Sequence, residues 1–253
     1  MDLGIKGKKA LVTGASRGIG RSIADALADE GVTVAVVARN TSQLNEFVKL
    51  KGNGHCAFTY DLMSEGAPEK FVQEMLGDFG NPDIIVHNLG GNLGITNPLC
   101  PISDWRKSYR FNLEIAIELN SYLLPLMQKK KWGRVIHISS ISSLENQGAP
   151  TYCAMKAALN AYVRSVGRYV SPDGISMSTV LPGAIFTEGG YWDQASVNRP
   201  EHVGKYLKER MAIKRFGELD EISKLVVFLS SKYAGFITGS SFLADGGQGR
   251  CFQ

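Results

Sequence analysis

Cysteine is scarce in this sequence, and its spacing lacks the close pairs that metal sites use. The four cysteines, at positions 56, 100, 153 and 251, include no C-x-x-C pair. Zinc sites use such pairs, and small disulfide-stabilised domains carry more cysteines in a shorter chain. We therefore expect free thiols in a reducing compartment, and no metal site.

Long apolar runs and strong charge are also lacking. No segment approaches the roughly 20 apolar residues that a membrane-spanning helix needs, and the N-terminus has no apolar signal segment. The formal net charge is only +4, and the basic runs, Lys8-Lys9 and Lys129-Lys130-Lys131, are not interleaved with aromatic residues. These absences argue against a membrane or nucleic-acid partner, and we expect a cytoplasmic protein with a small-molecule substrate.

Strand-like and helix-like segments alternate through the whole sequence. The predicted strands are 10–12, 32–38, 57–62, 84–87, 133–138, 177–180 and 241–244. The helical patterns between them include 42–51, 67–79, 103–127, 152–169 and 220–230, whereas 184–215 is irregular. This alternation predicts an α/β fold, a doubly wound (Rossmann) seven-stranded parallel sheet with helices on both faces. Without a linker or repeat, we expect residues 1–253 to form a single dinucleotide-binding and catalytic domain, with 184–215 as a substrate lid.

A glycine-rich turn follows the first predicted strand. Residues 14–20 read Gly-Ala-Ser-Arg-Gly-Ile-Gly, and Ile19, Ile23 and Leu27 then recur at helical spacing. A turn between a parallel strand and a helix lets a pyrophosphate approach backbone N–H groups and the positive end of the helix dipole. The spacing is G-x-x-x-G-x-G and not the commoner G-x-G-x-x-G. The alternative is that these glycines only turn the chain.

Two arginines indicate which dinucleotide is bound. A site for NAD carries an acidic residue near the end of the second strand, to bind the ribose 2′-hydroxyl, whereas an arginine accommodates the 2′-phosphate of NADP. Here the strand ends in Ala38-Arg39-Asn40 without an acidic residue, and Arg17 lies in the glycine turn. The pair favours NADP (NADPH), with NAD less favoured.

Tyr152 and Lys156 are the candidate reactive pair. Four residues apart on a predicted helix, they lie on one face, one turn from each other. A phenol has a pKa of about 10, and a nearby ammonium lowers it, which would let the pair exchange a proton with a substrate oxygen. The spacing alone is weak evidence, because both residue types are common on helix surfaces.

Taken together, these motifs resemble the short-chain dehydrogenase/reductase family. The resemblance covers about residues 7–247 and is strongest to the 3-oxoacyl-thioester reductases and related sugar and polyol dehydrogenases. The matching segments are Thr13 to Gly20, Asp61-Leu62, Asn88-Leu89-Gly90-Gly91, Asn112, Ser140, Tyr152-x-x-x-Lys156, Pro182-Gly183-x-Ile185-x-Thr187, Ile237-Thr238-Gly239 and Asp245-Gly246-Gly247. In one departure, Leu89 stands where the family more often has alanine.

The resemblance also implies a role for each matching residue. Tyr152 would be the acid/base and Lys156 would lower its pKa and bind the nicotinamide ribose. Ser140 would hold the substrate oxygen, and Asn112 would anchor a water that links Lys156 to solvent. The implied cofactor-binding residues are Gly14, Ser16, Arg17, Gly18, Ile19, Gly20, Arg39, Asp61, Leu62, Asn88, Gly90, Tyr152, Lys156, Pro182, Gly183, Ile185 and Thr187.

The catalytic serine is ambiguous. The usual family interval to the tyrosine points to Ser139, whereas the pattern of a strand that ends in two serines, the second of them catalytic, points to Ser140. We prefer Ser140, because alternation along the strand decides which side chain faces the ligand-binding edge, and loops tolerate deletions.

The implied function is that of an NADP(H)-dependent oxidoreductase that reduces a ketone or 3-oxoacyl carbonyl to an alcohol. Two alternatives remain: a sugar or polyol dehydrogenase with the same machinery, and a non-catalytic NADPH-binding sensor. The resemblance also implies a homotetramer, with a dimer as the alternative, because members of the family are mostly tetramers that pack these long helices against each other. The predicted helices 103–127 and 152–169 carry apolar residues on more than one face, which agrees with that expectation.

Overall fold

A seven-stranded parallel sheet forms the centre of the computed structural model, which describes residues 1–251. Its strands follow the order β3-β2-β1-β4-β5-β6-β7, and each neighbouring pair is parallel. They are β1 (Lys9–Thr13), β2 (Thr33–Ala38), β3 (Cys56–Thr59), β4 (Ile84–His87), β5 (Gly133–Ile138), β6 (Ile175–Pro182) and β7 (Ser240–Ala244). The strand order reverses between β1 and β4, so the predicted doubly wound fold is confirmed.

Helices cover both faces of this sheet. They are α1 (Gly18–Asp29), α2 (Thr41–Lys51), α3 (Ala67–Asp78), α4 (Ile102–Tyr109), α5 (Ile115–Lys130), α6 (Pro150–Val170), α7 (Tyr191–Asn198), α8 (Pro200–Arg210) and α9 (Leu219–Leu229). Side chains of α1, α2 and α9 pack on one face, and those of α3, α5 and α6 on the other. Central strands are therefore buried on both sides, which explains their continuous apolar sequences. Among residues 1–251, no helix is long and apolar enough to cross a membrane.

The predicted helix 103–127 is not regular. A π-helical segment, Arg110–Glu114, separates α4 from α5. Such segments insert an extra residue into the helical ladder and are frequent at functional sites. Hydrophobic periodicity does not reveal this local change, because the helix continues on either side.

Two further boundaries differ from the sequence-based expectation. Residues 184–215 were expected to be irregular but contain the helices α7 and α8. α8 is mostly polar and buries only Val203, so it has few apolar residues from which a helix could be predicted. β3 ends at Thr59, so Asp61 lies in the following turn, where its Oδ1 accepts a hydrogen bond from the N–H of Met63 at 3.1 Å.

Candidate active site

The glycine turn after β1 is held by the end of β4. The side-chain Nδ2 of Asn88 donates to the carbonyl oxygens of Thr13, at 3.2 Å, and Gly14, at 3.0 Å. Gly14 and Gly18 have φ angles of +65° and +58°, a region that favours glycine. A Cβ at Gly20 would lie 2.4 Å from both Asn88 Nδ2 and the Gly14 oxygen. These glycines are therefore needed for close backbone packing as well as for turning the chain.

The first turn of α1 is open to a ligand. Arg17 occupies the N-cap in an extended conformation, and its side chain makes no capping hydrogen bond. The N–H groups at the start of a helix lack partners within the helix and favour an anion. A turn that brings backbone this close, with an uncapped helix start beside it, fits the pyrophosphate of a dinucleotide.

A cavity of about 280 Å³ lies beside this turn. It is lined by Gly14, Ser16, Arg17, Val37, Ala38, Arg39, Asn40, Gln43, Tyr60, Asp61, Leu62, Met63, Leu89 and Phe111. Arg17 and Arg39 are both exposed, and within residues 1–251 neither lies within ion-pair distance of a carboxylate. Their charges are therefore available to a ligand in this cavity, as the sequence predicts for the 2′-phosphate.

A second cavity lies on the other side of the glycine turn. It is lined by Ile19, Asn88, Gly90, Gly91, Ile138, Ser139, Ser140, Tyr152, Lys156, Pro182, Gly183, Ile185, Thr187, Tyr191 and Trp192. The structure thus brings the candidate reactive residues and the predicted nicotinamide-side residues to one place. Both cavities lie at the carboxyl edge of the sheet, where α/β folds bind ligands.

Lys156 is buried beneath this second cavity. Its Nζ donates to the carbonyl oxygen of Ile138 at 2.8 Å, and burial lowers the pKa of its ammonium to about 8. Gly90 leaves the space that the lysine needs: a Cβ there would lie 2.9 Å from Lys156 Nζ and from Asn112 Oδ1, at a φ of +150°. The absence of a side chain at position 90 therefore permits the approach of lysine and loop.

The pKa of Tyr152 is shifted in the direction opposite to the one that the sequence suggested. Burial raises the pKa of its phenol, and the Ser140 hydroxyl partly offsets this. Lys156 was expected to lower that pKa, but its Nζ lies 5.7 Å from the Tyr152 ring centroid and is bonded to Ile138 instead. In this structure Tyr152 is therefore a protonated phenol at neutral pH, the only form that can donate a proton, and its raised pKa makes it a weaker acid than a free phenol.

The two candidate serines occupy different environments. The Ser139 Oγ donates to the carbonyl oxygen of Lys156 at 3.3 Å, in the buried interior. Ser140 lies beside the Tyr152 hydroxyl, and its Oγ also accepts the N–H of Ser142 at 3.1 Å. The position next to Tyr152 favours Ser140 as the residue that would bind the substrate oxygen.

Asn112 lies in the π-helical segment and holds the loop after β4. Its Oδ1 accepts the N–H of Gly91 at 2.9 Å, and its Nδ2 donates to the oxygens of Gly91, at 3.2 Å, and Ser108, at 3.1 Å. A buried amide bonded on both sides fixes the backbone beside Gly90. The predicted water between Asn112 and Lys156 stays a prediction.

A third cavity extends the second one and was only partly foreseen. It has a volume of about 630 Å³ and is lined by Asn92, Gly94, Gln147, Tyr191, Trp192, His202 and Tyr206. The Trp192 ring lies 4.3 Å from that of Tyr206, between centroids. Tyr191 and Trp192 lie within the predicted substrate lid, 184–215, whereas Gln147 lies outside it. No sequence signal marks Gln147, because its position depends on contacts with the distant residue Gln248.

Known proteins resemble this chain along nearly its whole length. A family model described as enoyl-(acyl carrier protein) reductase matches residues 14–248. The chain is 34% identical over 249 residues to the 3-oxoacyl-[acyl-carrier-protein] reductase of Haemophilus influenzae, covering 96% of this chain and 98% of that protein. It is 32% identical over 251 residues to the corresponding Escherichia coli reductase, covering 97% and 98%.

Solved structures show the same fold. L-sorbose reductase from Gluconobacter frateurii, complexed with NADPH and L-sorbose, matches with a TM-score of 0.92 and 28% identity over 100% of both chains. A 3-oxoacyl (acyl-carrier-protein) reductase from Agrobacterium tumefaciens, with NADP bound, matches with a TM-score of 0.87 and 28% identity, covering 96% of this chain and 95% of that one.

Proposed function

The chain belongs to the short-chain dehydrogenase/reductase family, and on that premise we propose that it is an NADP(H)-dependent oxidoreductase that reduces a ketone or 3-oxoacyl carbonyl to an alcohol. The observation that carries the proposal is the meeting of Ser140, Tyr152 and Lys156 at one cavity beside the glycine turn. A phenol, a hydroxyl and a buried amine so placed can deliver a proton to a substrate oxygen.

The residues around the glycine turn fit NADPH. The turn and the start of α1 would hold the pyrophosphate, and Arg17 and Arg39 the 2′-phosphate. Lys156 would bind the nicotinamide ribose, with Ile185 and Thr187 against the nicotinamide amide. When bound, NADPH supplies the hydride that adds to the carbonyl carbon.

Tyr152 and Ser140 would act on the carbonyl oxygen. Ser140 donates a hydrogen bond that polarises the carbonyl, while Tyr152 lies ready to donate its proton. As the carbon gains a hydride, the carbonyl π-electron pair moves to oxygen and takes the Tyr152 proton, which leaves an alcohol and a phenolate. The raised pKa of Tyr152 keeps the proton on the phenol until the hydride arrives. The resemblance assigns the stabilisation of the phenolate to Lys156, whose ammonium would have to approach closer than its present 5.7 Å from the Tyr152 ring centroid.

A polyhydroxy ketone is the second candidate substrate. The third cavity combines the aromatic rings of Trp192 and Tyr206 with the polar groups of Asn92, Gln147 and His202. Such a lining offers stacking surface and hydrogen bonds to hydroxyl groups, and it has no wholly apolar channel for an acyl chain. This observation supports the sugar or polyol alternative. We propose that 184–215, with α7 and α8, closes over it as the lid of a single domain spanning 1–253.

A substrate panel tests the proposal and separates the candidates. Purified protein is assayed with ketoses, simple ketones and 3-oxoacyl thioesters, each with NADPH and NADH, by the absorbance of the reduced nicotinamide. We expect NADPH-dependent reduction of at least one class. Tight NADPH binding without turnover of any ketone or thioester would contradict the proposal and support a non-catalytic sensor.

The assembly is proposed to be a homotetramer, with a dimer as the alternative. Ile115, Leu119, Leu159 and Val163 are buried in the core, whereas Ile117, Tyr122, Tyr162 and Val166 on α5 and α6 keep accessible surface. These remaining apolar side chains support packing of the two helices against a second copy. Light scattering at micromolar concentration should give a tetramer mass, and a stable monomer would contradict the proposal.

A cytoplasmic location also stays a prediction.

A further inference from the structure

Three segments that are distant in sequence are joined by a row of side-chain hydrogen bonds beside the second cavity, which contains Tyr152. The backbone N–H of Ala184, after β6, donates to Gln248 Oε1 at 2.8 Å. Gln248 Nε2 donates to Gln147 Oε1 at 2.6 Å, and Gln147 Nε2 donates to the carboxylate of Glu145. These hydrogen bonds connect the start of the proposed lid, the C-terminal segment and the loop after β5.

The direction of each of these hydrogen bonds is fixed by the groups at the two ends of the row, the Ala184 N–H and the Glu145 carboxylate. A backbone N–H can only donate, so Gln248 must present its oxygen to Ala184 and its nitrogen to Gln147. Hydrogen bonds from the backbone of Arg250 and from Gln147 lower the pKa of Glu145 to about 2, so this carboxylate can only accept. Gln147 therefore cannot turn its amide over without breaking two bonds.

The C-terminal segment is itself held in place. Asp245 Oδ1 accepts the N–H of Gly247 at 3.0 Å, and Oδ2 accepts that of Gly249 at 2.6 Å. Gln248 is buried and lies beside the Tyr206 hydroxyl of α8. Gln248 thus links the fixed segment to the lid and to Gln147.

Gln147 lies close to the reacting groups. It lines the third cavity, which shares Tyr191 and Trp192 with the cavity of Tyr152. The next residue, Gly148, is packed against Tyr152: a Cβ there would lie 3.5 Å from the Tyr152 Cδ1. A ketone whose oxygen is held at Ser140 and Tyr152 would extend the groups next to its carbonyl toward this third cavity and Gln147.

We propose that Gln147 is a specificity-determining residue that selects ketones carrying a hydroxyl group near the carbonyl, and that Gln248 is the positioning residue that orients it. This inference rests on the ketone reduction proposed above. After its two internal bonds, the Gln147 amide keeps one N–H donor and one oxygen lone pair. A hydroxyl group can accept the first or donate to the second, whereas an alkyl group leaves both unpaired.

A pair of near-isosteric ketones tests this selection. Hydroxyacetone and butanone differ only by a hydroxyl in place of a methyl group. We expect kcat/KM with NADPH to favour hydroxyacetone by on the order of 10- to 100-fold in the wild type. In Gln147→Leu that ratio should fall to within about 3-fold of unity, because the hydroxyl loses its partner while kcat/KM for butanone is kept.

Two variants of Gln248 separate orientation from simple packing. Gln248→Leu should raise KM for hydroxyacetone about 10-fold, with little change in KM or kcat for butanone. Gln248→Glu keeps the shape but places a carboxylate on one side of the Gln147 amide, with the Glu145 carboxylate on the other. The Gln147 oxygen is then repelled in either orientation and the amide is displaced, so the selectivity should fall as in Gln248→Leu. Gln73→Leu, on the exposed side of α3, is the matched control and should keep the wild-type ratio. Thermal unfolding verifies that each variant is folded.

The outcomes distinguish this inference from the function on which it rests. A wild type that reduces butanone or a thioester without preferring hydroxyacetone overturns the inference alone. So does a Gln147→Leu variant that retains the wild-type selectivity. A wild type that reduces no carbonyl compound with NADPH overturns the proposed function as well.

Discussion

Replacing Tyr152 by phenylalanine is expected to lower kcat by ~10²–10⁴-fold, the range typical for the loss of a general acid. The substitution removes one hydroxyl from the cavity that contains Ser140 and Lys156 and keeps the ring. Without that proton donor the carbonyl oxygen would have to become an alkoxide as the hydride arrives. The dissociation constant of NADPH should change little, because the glycine turn and the two arginines remain.

Tyr169→Phe is the control for this experiment. It removes the same atom from the same helix, α6, but at a site that is 78% exposed and close to the far end of that helix. It should keep wild-type turnover. If Tyr152→Phe kept more than about a tenth of the wild-type kcat, Tyr152 would not be the proton donor.

Cofactor preference is expected to depend on Arg39. The wild type should prefer NADPH over NADH by on the order of 10²-fold in kcat/KM, because charge-assisted bonds to the 2′-phosphate contribute about 1.5–3 kcal/mol each before screening by solvent. Arg39→Asp replaces attraction by repulsion and supplies an acceptor for the ribose 2′-hydroxyl. The NADPH/NADH ratio should therefore fall by at least about 10-fold.

Arg168→Asp makes the same change of charge near the C-terminal end of α6, away from the cavity of Arg17 and Arg39. It should leave the ratio of kcat/KM values unchanged. A wild type that used NADH as well as NADPH, or an Arg39→Asp variant with the wild-type ratio, would show that these arginines do not bind the 2′-phosphate.

The parts of the molecule that follow from short-range patterns could be predicted from the sequence. The strands of a doubly covered sheet are apolar throughout, and glycines mark the turn after β1. Tyr152 and Lys156 share a helix face, so their spacing alone brings them to one cavity. Arg39 directly follows β2, and the edge at which β2 ends determines where its charge lies.

The features that sequence patterns missed depend on long-range contacts. The π-helical segment around Asn112 is stabilised by the Gly91 backbone, 21 residues away in sequence. Gln147 is held by Gln248, 101 residues away. The raised pKa of Tyr152 comes mainly from its burial in the folded protein, and the side chain of Lys156 is bonded to the oxygen of Ile138. Periodicity and propensity describe single segments and carry no information on such pairs.

Hydride transfer from the nicotinamide to a carbonyl carbon is the central claim, and deuterium labelling tests it most directly. NADPH with both hydrogens of the transferring nicotinamide carbon replaced by deuterium is incubated with wild-type protein and hydroxyacetone, and the product is analysed by mass spectrometry. We expect one deuterium on the new carbinol carbon, with formation of the diol matching the consumption of NADPH. A product without deuterium, or NADPH consumed with no alcohol formed, would contradict direct reduction of the carbonyl by this protein.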